Sequence, residues 1–163
     1  MNLLNNPYRF TNKEQILKIY GLLKKTGYNL LRDNNELIHF SASSLVFIDE
    51  SGIFIRHPTL NKVLLPAGHV ELKETPMETA IREFKEETGF SVKYDNDNPK
   101  LIDLNLIAIP YNLKKNEASH YHIDFRYYFE LDSKKQEENE LEILILDRCQ
   151  APQEFMKYFD LLK

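Results

Sequence analysis

The residues best equipped for chemistry crowd into one acidic stretch, Glu74, Glu78, Arg82, Glu83, Glu86 and Glu87. Glu83, Glu86 and Glu87 stand at i, i+3 and i+4, so on a helix their carboxylates share a face. For stability alone this is a poor arrangement. Like charges at i, i+4 cost about 0.2–0.5 kcal/mol, and anions in a last helical turn oppose the macrodipole by about 0.3–1 kcal/mol. A hard divalent cation that takes oxygen ligands turns the repulsion into attraction, and local rules are broken where function demands it. The alternative is a solvated charged face, partly neutralised by Arg82 and Lys85, because glutamate favours helices.

A second polar group lies in the stretch His120-Tyr121-His122-Ile123-Asp124-Phe125-Arg126-Tyr127-Tyr128-Phe129. Strand alternation puts Tyr121, Ile123, Phe125, Tyr127 and Phe129 on one face and His120, His122, Asp124, Arg126 and Tyr128 on the other. The second face is too polar for a core and suits phosphate or sugar contacts, which makes His120, His122, Asp124 and Arg126 candidate substrate-binding residues. The competing reading is a solvent-facing strand with an Asp124–Arg126 charge pair. A His/Asp transition-metal site is the weaker reading, since no third ligand stands out. His69 either touches a phosphate or faces water. Cys149 reads as a core or near-core thiol, with no neighbouring lysine or histidine to activate it.

The elements that must position these groups are legible in outline. Residues 11–32 read as a helix, opening with Thr11 and Glu14 in capping-box spacing, striping Ile16, Leu17, Tyr20 and Leu23, and ending or breaking at Gly27. From Ser41 the pattern changes to a hairpin, with Leu45-Val46-Phe47-Ile48 and Ile53-Phe54-Ile55 around a turn at Asp49 to Gly52. Val63-Leu64-Leu65 is a third short strand, running into a loop signal at Pro66-Ala67-Gly68-His69. The clearest helix follows. Thr75 is its N-cap, Pro76 its first residue, Glu78 completes the capping box and Gly89 takes the C′ position. Met77, Ala80, Ile81, Phe84 and Thr88 form its buried stripe. Residues 90–94, 101–109 and 120–131 read as strands, residues 132–142 as an acidic loop, and residues 143–146 as a further apolar run. A closing helix near 152–162 buries Phe155, Met156, Phe159 and Leu162.

The spacing of the acidic segment is more specific than its composition. Gly68, five residues, Glu74, seven residues, then Arg82-Glu83-Phe84-Lys85-Glu86-Glu87-Thr88-Gly89-Phe90 meets every fixed position of G-x5-E-x7-R-E-U-x-E-E-x-G-U, with U a bulky apolar residue. On this motif the chain resembles the Nudix hydrolase family. The resemblance extends in element order over residues 41–162, and it implies an α+β fold: an α/β/α sandwich with a mixed sheet. We expect residues 1–38 to be a short helical extension and residues 39–163 the Nudix domain. The resemblance implies metal-dependent hydrolysis of a pyrophosphate bond in a nucleoside diphosphate linked to another group, by water attack on phosphorus with Mg²⁺ or Mn²⁺. Glu83, Glu86 and Glu87, with a backbone carbonyl at or beside Gly68, become the metal ligands. Arg82, paired with Glu74, becomes the group that orients Glu83. The general base is Glu83 or a glutamate of a distant loop, for which Glu137, Glu138 and Glu140 are placed. Members that hydrolyse ADP-ribose tend to carry a proline, and dinucleoside-polyphosphate members a tyrosine, in the region that here holds Leu104 to Ile109; Pro110 and Tyr111 both fall late, so the motif leaves the substrate open.

Composition sets the outer bounds. A chain of 163 residues, 42% hydrophobic and 12% aromatic, suits one domain with a sizeable core. A net charge of −4 provides no global attraction to nucleic-acid polymers or anionic membranes. One cysteine precludes an internal disulfide, and Met1 to Phe10 lacks the pattern of a signal peptide, so a cytoplasmic location is expected. The expected partner is a small nucleotide derivative, with no membrane, and a homodimer is allowed. Two rivals share the fold. An isoprenoid diphosphate isomerase needs a reactive cysteine beside the site, and Cys149 is far from the box in sequence. A non-catalytic nucleotide-binding module tends to lose box carboxylates, all of which are present.

Overall fold

Two long strands organise the molecule. In β1 (Ile38–Ile48) every residue from Ser41 to Phe47 is buried, and β7 (His120–Leu131) lies parallel to it, in register from Ile38 opposite Tyr121 to Val46 opposite Phe129. A strand buried on both faces needs cover on both, and the chain supplies it. The computed structural model describes residues 9–26, 37–111 and 118–163.

β1 turns through Asp49, in the left-handed region at φ 55°, into β2 (Ser51–His57), which pairs with β3 (Lys62–Leu64). β4 (Ala67–His69) pairs antiparallel with Ser41 to Ser43 of β1, so the Pro66 to His69 stretch expected as a loop is largely strand. Helix α2 (Pro76–Thr88) and the short β5 (Val92–Lys93) follow. β6 (Leu101–Ile109) runs antiparallel to β7, and β8 (Ile143–Leu146) antiparallel to β2. The result, among the described residues, is one mixed eight-stranded sheet.

Each face of that sheet has its own core. On one, Ala42, Val46, Tyr127 and Phe129 pack against Met77, Ala80 and Phe84 of α2. Helix α1 (Lys13–Thr26) lays Ile19 on Ile38 and Ile123. On the other, Leu45, Phe47, Phe54 and Ile102 meet Phe155, Tyr158 and Phe159 of a C-terminal 3-10 helix (Gln153–Leu162). This is the expected α/β/α sandwich.

Several local expectations are corrected. The α1 cap is Asn12, whose Oδ1 accepts from the Gln15 amide at 2.7 Å, because Thr11 is engaged elsewhere, donating to Asp103 at 2.7 Å. Leu17 and Tyr20 are exposed and Ile19 carries the burial. Gly27 and residues 28–32 lie outside the described residues. The closing helix is 3-10, so its three-residue repeat buries Tyr158 beside Phe155, while Leu162 is exposed. Cys149 is exposed, its thiol donating to Asp147 at 3.0 Å, and that carboxylate raises the thiol pKa.

Candidate active site

Helix α2 begins and ends as its sequence dictates. The Glu78 amide donates to Thr75 Oγ1, Glu78 reaches back to the Thr75 amide at 2.8 Å, and Gly89 closes the helix at φ 70°. Its C-terminus needs more than Gly89, since the last carbonyls of any helix lack intrahelical donors. The acidic loop supplies them: the amides of Glu137, Glu140 and Leu141 donate to the carbonyls of Gly89, Glu86 and Glu87 at 2.8, 3.1 and 3.4 Å. Gln136 donates its side-chain amide to the Thr88 carbonyl at 3.2 Å. The helix turn that carries the glutamates is thereby fixed from both sides.

Arg82 is the hub of the polar side. Its Nε and Nη2 donate to the two oxygens of Glu74 at 2.7 and 2.9 Å, a fork that holds the guanidinium plane. Nη1 then donates to Glu83 at 2.7 Å and Glu86 at 3.1 Å, and Nη2 reaches the His69 carbonyl at 3.4 Å. The Arg82 bond holds Glu74 down to about 2. The expected pairing of Arg82 with Glu74, and its contact with Glu83, are both present.

Glu83 rests against β4 at Gly68, where any Cβ would collide with the Glu83 carboxylate. The first glycine of the motif therefore permits close approach of a carboxylate to the strand backbone. Glu87 accepts from the Ala67 amide at 3.0 Å. Burial pushes the Glu87 carboxyl up to about 7, with Glu83, Glu140 and Glu86 adding repulsion, and burial also raises Glu83. Glu86 is exposed. Partly buried carboxylates that repel one another and lie beside a backbone strand make an all-oxygen donor set, which fits a hard divalent cation. Of the distant glutamates, Glu140 acts on Glu87, while Glu137 pairs with Lys85 at 3.4 Å. A surface cavity of about 240 Å³ between Met77, Tyr94, Lys100 and Tyr128 includes none of these carboxylates.

The β7 row divides in two. Asp124 and Arg126 were expected to face substrate, yet they are 2% and 7% exposed. Ser41 and Ser43 donate to Asp124 at 3.1 and 2.7 Å, Arg126 bonds Asp124 at 3.2 Å and Ser43 at 3.1 Å, and Arg126 donates to the Tyr158 hydroxyl. Tyr158 in turn donates to Asp103, which also accepts from Lys157 at 2.8 Å. The face is polar and nonetheless interior, because its charges and hydrogen bonds are satisfied by each other. Sequence alternation finds the row; it does not reveal the Ser41, Ser43, Asp103 and Tyr158 that cover it. His120 and His122 belong to a different group, with His39 and His69. His39 carries no motif of its own and becomes visible only through the pairing of β1 with β7.

Comparison with known proteins agrees with this architecture. A NUDIX domain model matches residues 10–159. A Lactococcus lactis protein named "Probable DHNTP pyrophosphohydrolase" is 50% identical over 148 residues, 91% of this chain and 87% of that one. Among solved structures, a NUDIX-family hydrolase from Clostridium perfringens superposes with a TM-score of 0.58 at 23% identity, covering 79% of this chain and 99% of that one. A UDP-X diphosphatase gives 0.54 at 19% identity, covering 90% and 68%. The match of the domain over nearly the whole chain, and the half-identical pyrophosphohydrolase, place this protein in the Nudix family as a pyrophosphohydrolase.

Proposed function

We propose that the chain is a divalent-cation-dependent enzyme that cleaves a pyrophosphate bond in a nucleotide-type substrate, and that DHNTP is its preferred substrate. The observation that carries the reaction is the convergence of Glu83 and Glu87 on the Gly68 strand, with Arg82 clamped between Glu74, Glu83 and Glu86. The substrate assignment is supported by the 50% identity to the Lactococcus lactis protein.

Glu83, Glu86, Glu87 and the Gly68 carbonyl would hold Mg²⁺ or Mn²⁺. When bound, such a cation neutralises charge on phosphate oxygens and makes water a better nucleophile. The residues do the remainder. Glu74 fixes the Arg82 fork, and Arg82 sets the rotamers of Glu83 and Glu86. The Ala67 amide anchors Glu87. Glu83, whose pKa burial raises, is suited to take a proton from the attacking water, and Glu140 is the best placed of the distant alternatives. His120 and His122 remain beside the site through His69; Asp124 and Arg126 hold the sheet to the C-terminal helix. Residues 1–38 are the proposed extension to a domain at 39–163, and the described part of it, residues 9–26, is fastened to that domain through Thr11 and Ile19.

The test is a substrate panel with Mg²⁺ and with Mn²⁺, scored by pyrophosphate and nucleotide products. Fastest turnover is expected on DHNTP, with pyrophosphate released. A clear preference for ADP-ribose or a UDP-linked sugar overturns the substrate assignment, and no hydrolysis of any pyrophosphate bond overturns the activity.

A further inference from the structure

The alternation of β4 sends Gly68 toward Glu83 and His69 to the opposite side of the strand. There His69 meets three more imidazoles. His39 of β1 stands in register with His122 of β7, His120 lies two residues earlier on the same face, and Ser41, the β1 partner of His69, is two residues beyond His39. Three adjacent strands thus deliver four histidines to one point. One ligand atom from each lies within 4.8 Å of all the others. The Nε2 atoms are closer still, 3.1 Å from His69 to His122 and 3.0 Å from His120 to His122.

The two short separations are close to those of a tetrahedral coordination sphere, and the whole group is compact enough to contract onto one ion. Zn²⁺–N bonds of about 2.0–2.1 Å place the nitrogens of a tetrahedron about 3.3 Å apart. His120 Nδ1 donates to the Ala118 carbonyl at 2.8 Å. That bond fixes the tautomer, leaving Nε2 of the neutral ring as a lone pair aimed at the group, the arrangement found behind metal-ligating imidazoles. His39 and His120 are 4% exposed, and His69 and His122 half-buried, so the group is enclosed and still reachable by an ion.

We infer that His39, His69, His120 and His122 form a second metal site, selective for a borderline cation of the Zn²⁺ class. An all-nitrogen imidazole set suits Zn²⁺ and its transition-metal neighbours and discriminates against Mg²⁺, which requires oxygen. The two sites therefore lie on the two sides of β4 with orthogonal ligand chemistry. Cation binding at His69 ties β4 to β1 and β7, and so steadies the Gly68 backbone against which Glu83 rests. The site is a positioning device for that strand, and it does not require the substrate assignment to be correct.

Co²⁺ reports on it directly. The full chain, stripped with chelator and titrated with Co²⁺ alone, should bind one tight equivalent with the intense visible absorption of tetrahedral nitrogen coordination. Zn²⁺ should displace it, and excess Mg²⁺ should not. The signal should persist in Glu87→Gln and be lost in His122→Gln and in the half-buried His69→Gln, each checked for folding by circular dichroism; if His122→Gln does not fold, His69→Gln decides. A wild-type protein with no tetrahedral Co²⁺ signal overturns the inference. So does a signal that disappears in Glu87→Gln and survives in a folded histidine variant.

Discussion

Gly68 and Glu83 show how little freedom the proposed reactive centre has. Adding one methyl in Gly68→Ala would force the Glu83 carboxylate off β4, so this variant should lose at least about tenfold in kcat while remaining folded, as steady-state kinetics and thermal melting would show. Glu87 supplies a pH signature. Its folded-state pKa of about 7 lies above the ordinary 4.5, so without a cation the stability it contributes is complete below about pH 4.5 and is lost as pH rises through about 7. A divalent cation bound at the proposed site would displace that proton. The increase in Tm caused by Mg²⁺ should therefore be larger above about pH 7 than at about pH 5, and Glu87→Gln should flatten the difference; a cation effect independent of pH would place Glu87 outside the site. Arg82 touches three glutamates and is assigned to orient them. Arg82→Ala should lower kcat by about 10- to 100-fold with a smaller change in KM, and a rise in KM alone contradicts that role.

At the scale of elements, legibility followed locality. Helix α2 was readable to its ends because Thr75, Pro76, Glu78 and Gly89 encode its boundaries within a few residues of each other. β4 is hidden in the sequence because Pro66 and Gly68 carry loop signals, while the pairing that makes it a strand comes from Ser41 to Ser43, distant in sequence. The same distance hid the histidine group: two members were evident on β7, and the others arrive only when β1 and β4 are laid beside it. Thr11 resembles a cap because capping-box spacing is local; Asp103, which claims its hydroxyl, is distant in sequence. The polarity of Asp124 and Arg126 argued for exposure because their partners come from β1, β6 and the 3-10 helix. This reassignment has a measurable consequence. Arg126→Ala leaves Asp124 buried without its cation and should cost about 3–5 kcal/mol in urea unfolding, whereas a surface substrate contact would cost almost nothing. Tyr158→Phe removes the hydroxyl that joins Arg126 to Asp103 and should cost about 1–3 kcal/mol with kcat unchanged.

For the whole molecule, charge is the reason the proposed reaction would need a cation. A chain of net charge −4 would present a carboxylate cluster to the polyanionic substrate proposed for it, and Arg82 on the same helix is already shared among Glu74, Glu83 and Glu86. The sheet, α2 and the 132–142 loop hold that repulsive cluster in place; they do not neutralise it. Among the described residues no helix is long and apolar enough to cross a membrane. The most direct measurement is pyrophosphate release from DHNTP by the purified protein, with Mg²⁺ and after chelation, in the wild type and in a folded Glu83→Gln variant. Release should require the cation and fall by about 10²-fold or more in Glu83→Gln. Undiminished release without cation, or in the variant, would contradict a reaction centred on the α2 carboxylates.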